Sequence, residues 1–458
     1  MKPRRIVIVG GGISGLATGF LLLKHLAKQD ELIILEKNVR LGGTIGVTRR
    51  DGYIADWGPN GFLNKEPLTL DLVDELGLSD QLLPASELSE KRFIYKNQKL
   101  WEISPHPLKF LTSGLLSIRG RFRVPLEYFI PASKCNGDES IYTFASRRIG
   151  QEAADTLITP MVTGIFGGDA KKLSLAACFP VMAEMERDYG GLIRAMLNKK
   201  RNKKTTKKQV TAGPSGRLTS FKGGFYTLIE ALEKQLKPYI QAGVTVENIR
   251  MNSDNTYVLE TDSTPVMCDN LVLAVPAFAA AHFLQSLQPQ TAELLREIKY
   301  ASLAVVCQGF QRADISHPVD GFGFLAPPDQ NCKILGSIWT SVLFPDQAPP
   351  EEFLFRTMLG GTHQPEPINL SKSQLADIAR EELSQILGIA AKPRFEEVII
   401  WKNTIPQYAI GHLERITQIE NSLQSLPNIY LTGNAYSGVG LNDVIKRVYG
   451  IVENFKQS

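Results

Sequence analysis

The hydrophobic pattern of the first 36 residues combines two short apolar runs with one longer amphipathic stretch. Residues 6–9 and 32–35 are continuous apolar runs of strand length, and residues 16–26 carry apolar side chains at helical spacing. A glycine-rich turn joins the first run to the helical stretch. This order predicts a strand, a helix and a second strand parallel to the first, which together form a βαβ unit.

Helical periodicity dominates the next part of the chain. Residues 66–83 predict an amphipathic helix that stops at Gly77. Residues 90–103 alternate apolar and polar side chains on both sides of Asn97, which predicts a β-hairpin. Residues 105–198 are predicted to be mainly helical.

The second half of the chain predicts a mixed sheet and ends on a strand, a glycine cluster and a helix. Residues 271–275 predict a buried strand and residues 375–387 an amphipathic helix. A mixed sheet is indicated by four β-rich runs at residues 304–306, 321–325, 334–339 and 353–358. Residues 428–434 predict a last strand, and a helix is predicted from there to Phe455.

Composition limits the class of protein more than it identifies a function. A chain of 458 residues is too long for one hydrophobic core, so two or three domains are expected. The net charge of +4 is too mild to indicate nucleic-acid binding. No segment approaches the roughly 18 consecutive apolar residues of a membrane span. The basic N-terminus precedes a glycine turn rather than an unbroken apolar core, which argues against a signal peptide.

Cysteines and histidines are scattered rather than clustered. The five cysteines have no C-x-x-C spacing, and the six histidines include no i, i+4 pair. This distribution predicts neither a disulfide framework nor a metal site, and it suits a reducing compartment.

The glycine turn after the first strand fits the pattern G-x-G-x-x-G through Gly10, Gly12 and Gly15. The first glycine permits a tight turn, the second permits close approach to a pyrophosphate, and the third permits close packing of helix on strand. Ile13 and Ser14 open the helix, whose N-terminal N–H groups favour phosphates. Glu36 ends the second strand and is expected to accept hydrogen bonds from a ribose. A structural glycine turn is the alternative interpretation.

The segment after Glu36 decides which dinucleotide is expected. A nicotinamide-binding domain would continue to its next βα unit, whereas this chain continues with a second glycine pair at Gly42 and Gly43, followed by Thr44. Backbone wrapped around a longer cofactor suits this pattern, although the pair could be a simple turn. At the other end of the chain, glycines follow the last strand and precede the last helix, whose positive N-terminal end would face a bound cofactor.

Two basic segments have two interpretations each. Residues 108–130 mix large apolar side chains with arginines, as expected of a helix in a membrane interface or of a helix pair with a solvated basic face. Residues 199–208 contain seven lysines and arginines and suit either a solvated loop or attraction to anionic lipid. Nucleic-acid binding is not expected, because no aromatic residues interleave the run.

Several longer motifs resemble the FAD-dependent protoporphyrinogen oxidases of the flavin amine oxidase superfamily, and the likeness extends from end to end. The motifs stand at residues 58–60, 92–93, 160–169, 173–174, 221–224, 336–345, 405–408 and 433–439. The resemblance implies an α/β plus α+β protein with a discontinuous Rossmann-like FAD domain, a mixed-sheet substrate domain and a helical membrane-binding domain. The expected division is residues 1–88, 211–280 and 411–458 for FAD, 89–210 for the membrane and 281–410 for substrate.

The resemblance also implies an activity, oxidation of protoporphyrinogen IX to protoporphyrin IX by hydride transfer to flavin N5, with O₂ as acceptor. By the resemblance, Arg92 aligns with a propionate-binding arginine, Leu325 and Phe344 align with apolar residues that sandwich the ring, and the backbone around Gly164 is expected near the substrate. No acid–base residue is predicted. Non-covalent FAD is expected to contact Gly10, Gly12, Ile13, Ser14, Gly15, Glu36, Lys37, Gly42, Gly43, Thr44, Gly58, Pro59, Asn60, Val246, Trp401, Gly433, Asn434, Gly438, Val439 and Gly440.

Alternatives remain open at this point. Coproporphyrinogen III, with four propionates instead of two, is the main rival substrate. An amine oxidase, a desaturase or a non-catalytic flavin protein are the others. The enzyme is expected at the cytoplasmic face of a bacterial inner membrane as a peripheral protein, with a homodimer as a further expectation from relatives.

Overall fold

The computed structural model describes residues 3–103, 110, 112–133, 137–202 and 216–457. The strands are β1 Arg5–Val9, β2 Glu31–Glu36, β3 Val47–Arg50, β4 Tyr53–Asp56, β5 Phe62–Leu63, β6 Leu82–Pro84, β7 Phe93–Lys96, β8 Lys99–Glu102, β9 Leu218–Phe221, β10 Ile240–Ala242, β11 Val246–Met251, β12 Tyr257–Thr261, β13 Val266–Cys268, β14 Asn270–Leu273, β15 Tyr300–Gln311, β16 Gly323–Leu325, β17 Gly336–Trp339, β18 Glu352–Gly360, β19 Phe395–Pro406 and β20 Ile429–Leu431.

The helices of the described residues carry labels in the same way. They are α1 Ile13–Leu23, α2 Pro67–Glu75, α3 Ile118–Arg123, α4 Ile141–Ile149, α5 Gln151–Ala153, α6 Thr159–Phe166, α7 Leu175–Cys178, α8 Pro180–Tyr189, α9 Leu192–Asn202, α10 Thr227–Leu236, α11 Ala277–Leu284, α12 Pro289–Arg296, α13 Thr340–Leu343, α14 Lys372–Leu387, α15 His412–Leu423 and α16 Leu441–Gln457.

A five-stranded parallel sheet with the order β10-β2-β1-β14-β20 collects strands from both ends and the middle of the chain. The apolar runs predicted as strands are buried on both faces, as parallel sheets require. Helices α1, α10 and α16 pack on one face, and the antiparallel sheet β11-β12-β13 with α11, α12 and α15 packs on the other. The βαβ prediction is confirmed.

A seven-stranded mixed sheet has the order β19-β15-β18-β17-β16-β7-β8. Helix α14 packs on one face, where Leu375 and Leu383 join a core with Phe355. The hairpin β3–β4 packs against the opposite face, where Tyr53 meets Cys307 in a second core. The hairpin β7–β8 predicted around Asn97 is confirmed, and its turn residue has φ +53°.

The helix predicted to stop at Gly77 ends at Glu75, with Leu76 as its C-cap. Residues 79–81 then form a 3-10 turn, and Leu82 begins β6 against β9. In the antiparallel sheet β5-β9-β6, the central strand β9 lies far along the chain from β5 and β6. The helical periodicity of the sequence does not reveal this pairing.

The region from residue 110 to 202 is mainly helical where it is described, as predicted. A π-helical turn at Ala154–Ile158 joins α5 to α6. Among the described residues, each helix is too short or too polar to cross a bilayer. Four large apolar side chains in or just after α3 are exposed, and we call them the 118–129 surface: Ile118, Phe122, Leu126 and Phe129. The basic run at residues 199–208 lies outside the described residues from position 203 onward.

Candidate active site

The glycine turn after β1 is as tight as its sequence pattern predicts. Gly10 has φ +113°, and a Cβ there would lie 2.4 Å from the Ala274 carbonyl oxygen on the neighbouring strand. A Cβ on Gly15 would lie 2.0 Å from the Gly10 carbonyl oxygen. By contrast, a Cβ on Gly12 would meet no atom within 4 Å. The outer glycines therefore make the turn, and the middle one faces open space at the start of α1.

Glu36 ties this turn to the strand end that follows it. Its Oε2 accepts the Gly11 N–H at 2.7 Å, and its Oε1 accepts the backbone N–H of Asn38 at 2.9 Å. Oε1 also accepts the Asn38 side-chain amide at 2.8 Å. A carboxylate has about four acceptor positions, two on each oxygen, so Oε2 is the atom that keeps capacity for a ribose hydroxyl. Lys37, beside it, is exposed.

The second glycine pair lies directly against the first turn. The Gly42 N–H donates to the Gly11 carbonyl at 2.8 Å, and a Cβ on Gly43 would meet only the Cα of Gly12, at 3.5 Å. Both glycines have positive φ, +95° and +59°. The pair is a turn, as the simpler interpretation held, and it also lines the open space beside Gly12.

The segment from Trp57 to Asn60 is held by the mixed sheet. Arg356 Nη2 donates to the Gly58 carbonyl at 2.6 Å, and Trp401 Nε1 donates to the Trp57 carbonyl at 3.0 Å. Gly58 itself packs on the Thr44 carbonyl, because a Cβ at Gly58 would lie 2.1 Å from the Thr44 carbonyl oxygen. Pro59 is exposed. The two donors, Arg356 and Trp401, lie on strands of the mixed sheet and position this loop.

The chain returns to this region after β20. Tyr408 joins the two sides of the returning loop, because its hydroxyl donates to the Asn434 carbonyl and accepts the Gly438 N–H, the latter at 2.9 Å. Gly433 and Gly438 have φ +136° and +143°. Gly440 then opens α16, and Val439 packs against the helices of residues 141–192.

Val246 does not join this group. It begins β11 and packs in the core behind the parallel sheet with Val9 and Leu35. Its role toward a cofactor stays a prediction from the resemblance. Ile13 starts α1, and the adjacent Ser14 is buried with its carbonyl accepting the Thr18 hydroxyl at 2.7 Å.

A flavin dinucleotide fits the residues gathered here. The N-terminus of α1 has no side-chain cap, so its N–H groups can receive phosphate oxygens. Two buried polar atoms, Asn60 Nδ2 and Asn442 Oδ1, have no hydrogen-bond partner within the described part of the chain. Buried polar atoms are rarely left unpaired, so a polar ligand at these two positions is expected. Asn442 lies on the first turn of α16, beside the loop that Tyr408 holds.

Arg92 lies at one edge of the mixed sheet, next to β7. Strand alternation puts it on the face of Ile94, which pairs with Leu325 across β7 and β16. Its guanidinium lies 5.2 Å from the ring centre of Phe322. Although the residue as a whole is exposed, crowding of the guanidinium by protein atoms lowers the pKa of Arg92, and the group remains charged at neutral pH. Arg92 has no carboxylate partner within the described ranges.

Gly164 and Leu325 touch each other, as expected of residues on one slot. A Cβ on Gly164 would lie 2.6 Å from Leu325 Cδ2, so glycine lets α6 approach β16. Phe344 is placed differently from the expectation of a ring-facing side chain. It is fully buried in a cluster with Ala85 and Leu343, and Phe322 packs against that cluster. Phe322, rather than Phe344, joins the cluster to the guanidinium of Arg92.

Sequence reasoning missed Arg356 and Asp56 as positioning groups. In the sequence, Arg356 could have been singled out because it is a charged residue within the otherwise apolar middle of β18. Asp56 is buried and accepts the Phe225 N–H at 2.9 Å and Gln347 Nε2 at 3.2 Å. Burial raises the pKa of Asp56 to about 7, although these hydrogen bonds and the Arg356 charge act in the opposite direction.

Asp56 is expected to make the stability of the protein depend on pH. Because its pKa in the folded state lies above the ordinary value of 3.8, the folded state binds the proton more tightly, and stability falls as pH rises from about 4 to 7. We expect Asp56→Asn to flatten this fall, measured as the free energy of unfolding in urea at pH 5, 6, 7 and 8. Asp51→Asn, at an exposed turn, is the matched control. Parallel pH profiles for Asp56→Asn and wild type would contradict the prediction.

Comparison with known proteins shows the family of the chain. The chain matches the flavin containing amine oxidoreductase family over residues 13–447. It is 32% identical over 461 residues to the coproporphyrinogen III oxidase of Bacillus subtilis, with 96% of each chain covered. It is 28% identical over 484 residues to the mitochondrial protoporphyrinogen oxidase of Nicotiana tabacum, covering 97% of this chain and 93% of the relative.

A solved structure has the same fold along the whole chain. A crystal structure from Exiguobacterium, assigned provisionally as a protoporphyrinogen oxidase, superposes with a TM-score of 0.86 at 25% identity and covers 100% of this chain and 99% of its own. These findings confirm the predicted resemblance, the mixed α/β fold, FAD as cofactor and an oxidoreductase activity. The chain therefore belongs to the flavin containing amine oxidoreductase family.

Proposed function

We propose that this enzyme oxidises a porphyrinogen to the porphyrin, with coproporphyrinogen III as the preferred substrate. The observation that carries the proposal is the free guanidinium of Arg92 over Phe322, at the border of an apolar cluster. A porphyrinogen is a large apolar ring with carboxylate arms, so it needs both features. The relatives at 32% and 28% identity include oxidases named for coproporphyrinogen III and for protoporphyrinogen. Protoporphyrinogen IX, which the sequence alone favoured, becomes the second candidate.

The residues of the chain contribute binding and orientation to this reaction. Bound FAD supplies the two-electron acceptor for hydride from a bridging carbon, and three such oxidations, each passing two electrons to O₂ and forming H₂O₂, convert porphyrinogen to porphyrin. Arg92 would hold a propionate by paired N–H donors. Leu325 and Phe322 would orient the ring and exclude water from it. Arg356, Trp401 and Tyr408 hold the loops that enclose the cofactor.

The test is oxidation of coproporphyrinogen III and protoporphyrinogen IX by purified holoenzyme in air, followed by porphyrin fluorescence. Arg92→Ala should lower kcat/KM about 10- to 100-fold for both substrates, because a charge-assisted hydrogen bond contributes about 1.5–3 kcal/mol. Arg92→Lys should restore part of the loss, and bound flavin should be unchanged in both. Arg250→Ala, an exposed arginine on β11, is the control. Equal kcat/KM for Arg92→Ala and wild type would contradict the role of Arg92.

We also propose that the 118–129 surface docks on the cytoplasmic face of a bacterial inner membrane. Its phenylalanines are 65% and 71% exposed, and exposed apolar patches of this kind mark interaction sites. The double variant Phe122→Ser/Phe129→Ser should sediment less with vesicles of anionic phospholipid than wild type, while turnover in detergent is retained. Val39→Ser, which removes an isolated apolar side chain that is 86% exposed, is the control. Equal sedimentation of the double variant and wild type would exclude this surface.

A further inference from the structure

A second arginine, Arg217, contacts the same apolar cluster as Arg92, through a different residue. Arg217 Nε donates to the Ala85 carbonyl at 2.5 Å, and Ala85 belongs to the cluster of Leu343 and Phe344. The next residue, Leu218, packs against that cluster. Arg217 is exposed, so its guanidinium lies at the rim of the cluster rather than within it.

The backbone of Arg217 is fixed by the sheet β5-β9-β6. Its N–H donates to Asn64 Oδ1 at 2.8 Å, and its carbonyl accepts the Asn64 N–H at 3.1 Å. On the other side, the Ala85 N–H donates to the Leu218 carbonyl at 2.8 Å. Arg217 is therefore held between Asn64, which directly follows β5, and Ala85, which belongs to the cluster.

The cluster connects the two arginines. Phe322 packs against it and lies under the guanidinium of Arg92, while Ala85 is part of it and accepts from Arg217. The cluster is therefore linked to two cations, to Arg92 through Phe322 and to Arg217 through the Ala85 carbonyl.

Both guanidiniums have donors to spare. Within the described ranges, neither Arg92 nor Arg217 has a carboxylate within 4.0 Å, and Arg217 uses only Nε in a hydrogen bond. Lys91, beside Arg92, differs, because it is paired with Asp320. The terminal nitrogens of a guanidinium form a planar pair of donors that matches one carboxylate. Two such donor pairs beside one apolar cluster suit a flat apolar ligand with carboxylates on separate edges.

We propose that Arg217 binds a second carboxylate-bearing edge of the porphyrinogen, and that together with Arg92 it selects a tetracarboxylate ring over a dicarboxylate ring. This rests on the proposed function. Coproporphyrinogen III carries propionates on all four pyrrole rings, so it can reach both arginines at once. The two propionates of protoporphyrinogen IX stand on one edge, so that ring engages a single arginine. Arg217 is then a specificity-determining residue.

The experiment compares Arg217→Ala, Arg217→Lys and Arg92→Ala in the holoenzyme with both porphyrinogens. Arg217→Ala should lower kcat/KM for coproporphyrinogen III about 10- to 100-fold, mainly through KM, and should change it less than about threefold for protoporphyrinogen IX. Arg92→Ala should lower it for both substrates. Arg217→Lys should restore part of the coproporphyrinogen activity.

A binding measurement separates recognition from a folding effect. Coproporphyrin III and its tetramethyl ester are titrated against wild type and Arg217→Ala, with quenching of protein fluorescence as the signal. The variant should bind the free acid more weakly than wild type and bind the ester equally well, because the ester has no carboxylate for Arg217 to hold. Weaker binding of both ligands would indicate a structural role and overturn the proposal.

The outcomes also separate this inference from the proposed function. If wild type oxidises neither porphyrinogen, the proposed function fails. If wild type oxidises them and Arg92→Ala is impaired, but Arg217→Ala loses nothing on coproporphyrinogen III or loses equally on both, only the role of Arg217 fails.

Discussion

Gly15→Ala is expected to give a protein that binds FAD about 10- to 100-fold more weakly than wild type. The new Cβ would lie 2.0 Å from the Gly10 carbonyl oxygen, a backbone atom that cannot rotate away. Helix α1 must then move off the turn, at a cost of about 1–3 kcal/mol, and the N–H groups that face the phosphates move with it. The measurement is FAD titration of apoprotein by flavin fluorescence, together with flavin content after purification.

The matched control lies in the last helix. Gly450 is an exposed helical glycine on α16, and a Cβ there would meet no atom within 4 Å. Gly450→Ala should bind FAD as wild type does and gain up to about 1 kcal/mol of stability from the better helix former. Full flavin content and unchanged affinity in Gly15→Ala would show that the turn tolerates a side chain.

Arg148→Ala is expected to destabilise the protein by about 3–5 kcal/mol, because it would leave a buried carboxylate unpaired. Arg148 and Glu127 are 0% and 1% exposed, and Arg148 Nε donates to Glu127 Oε1 at 2.7 Å. Glu127 also accepts the N–H groups of Leu192 and Ile193 at 2.8 and 3.0 Å, so it holds the start of α9. The measurement is urea unfolding at pH 7.

Two further variants test the reason for this loss. Arg187 forms an exposed pair with Asp188, so Arg187→Ala should cost no more than about 1 kcal/mol. Arg148→Met/Glu127→Leu removes both charges and should recover a large part of the stability lost in Arg148→Ala, since no unpaired charge remains. A cost below about 1 kcal/mol for Arg148→Ala would mean that water or a neighbouring group satisfies Glu127.

The parts of the site that the sequence predicts are formed by residues close to one another in the chain. Gly10, Gly12 and Gly15 stand close together in the chain, and the chemistry of a tight turn before a helix fixes their spacing. Glu36 follows after one helix and one strand, whose lengths are set by periodicity. The last helix was predicted for the same local reasons, and it begins at Leu441.

The parts that sequence did not predict depend on contacts between distant segments. Arg356 and Gly58 are 298 residues apart, and nothing near either residue indicates their hydrogen bond. Tyr408 stood within a recognised motif, but its two bonds to the loop at Asn434 and Gly438 follow only from the fold. Phe344 shows the opposite case, since a resemblance suggested a ring-facing aromatic and the fold buries that side chain completely.

The strand order of the parallel sheet has a consequence for the protein during its synthesis. Strand β1, which ends at Val9, pairs with β14, and β14 pairs with β20, which begins only at Ile429. At about 5–20 residues per second, a ribosome needs roughly 20–80 seconds between making β1 and making β20. For that time the nascent chain carries apolar strands whose partners do not exist yet. The parallel sheet that carries the first glycine turn is therefore complete only after β20 has been made.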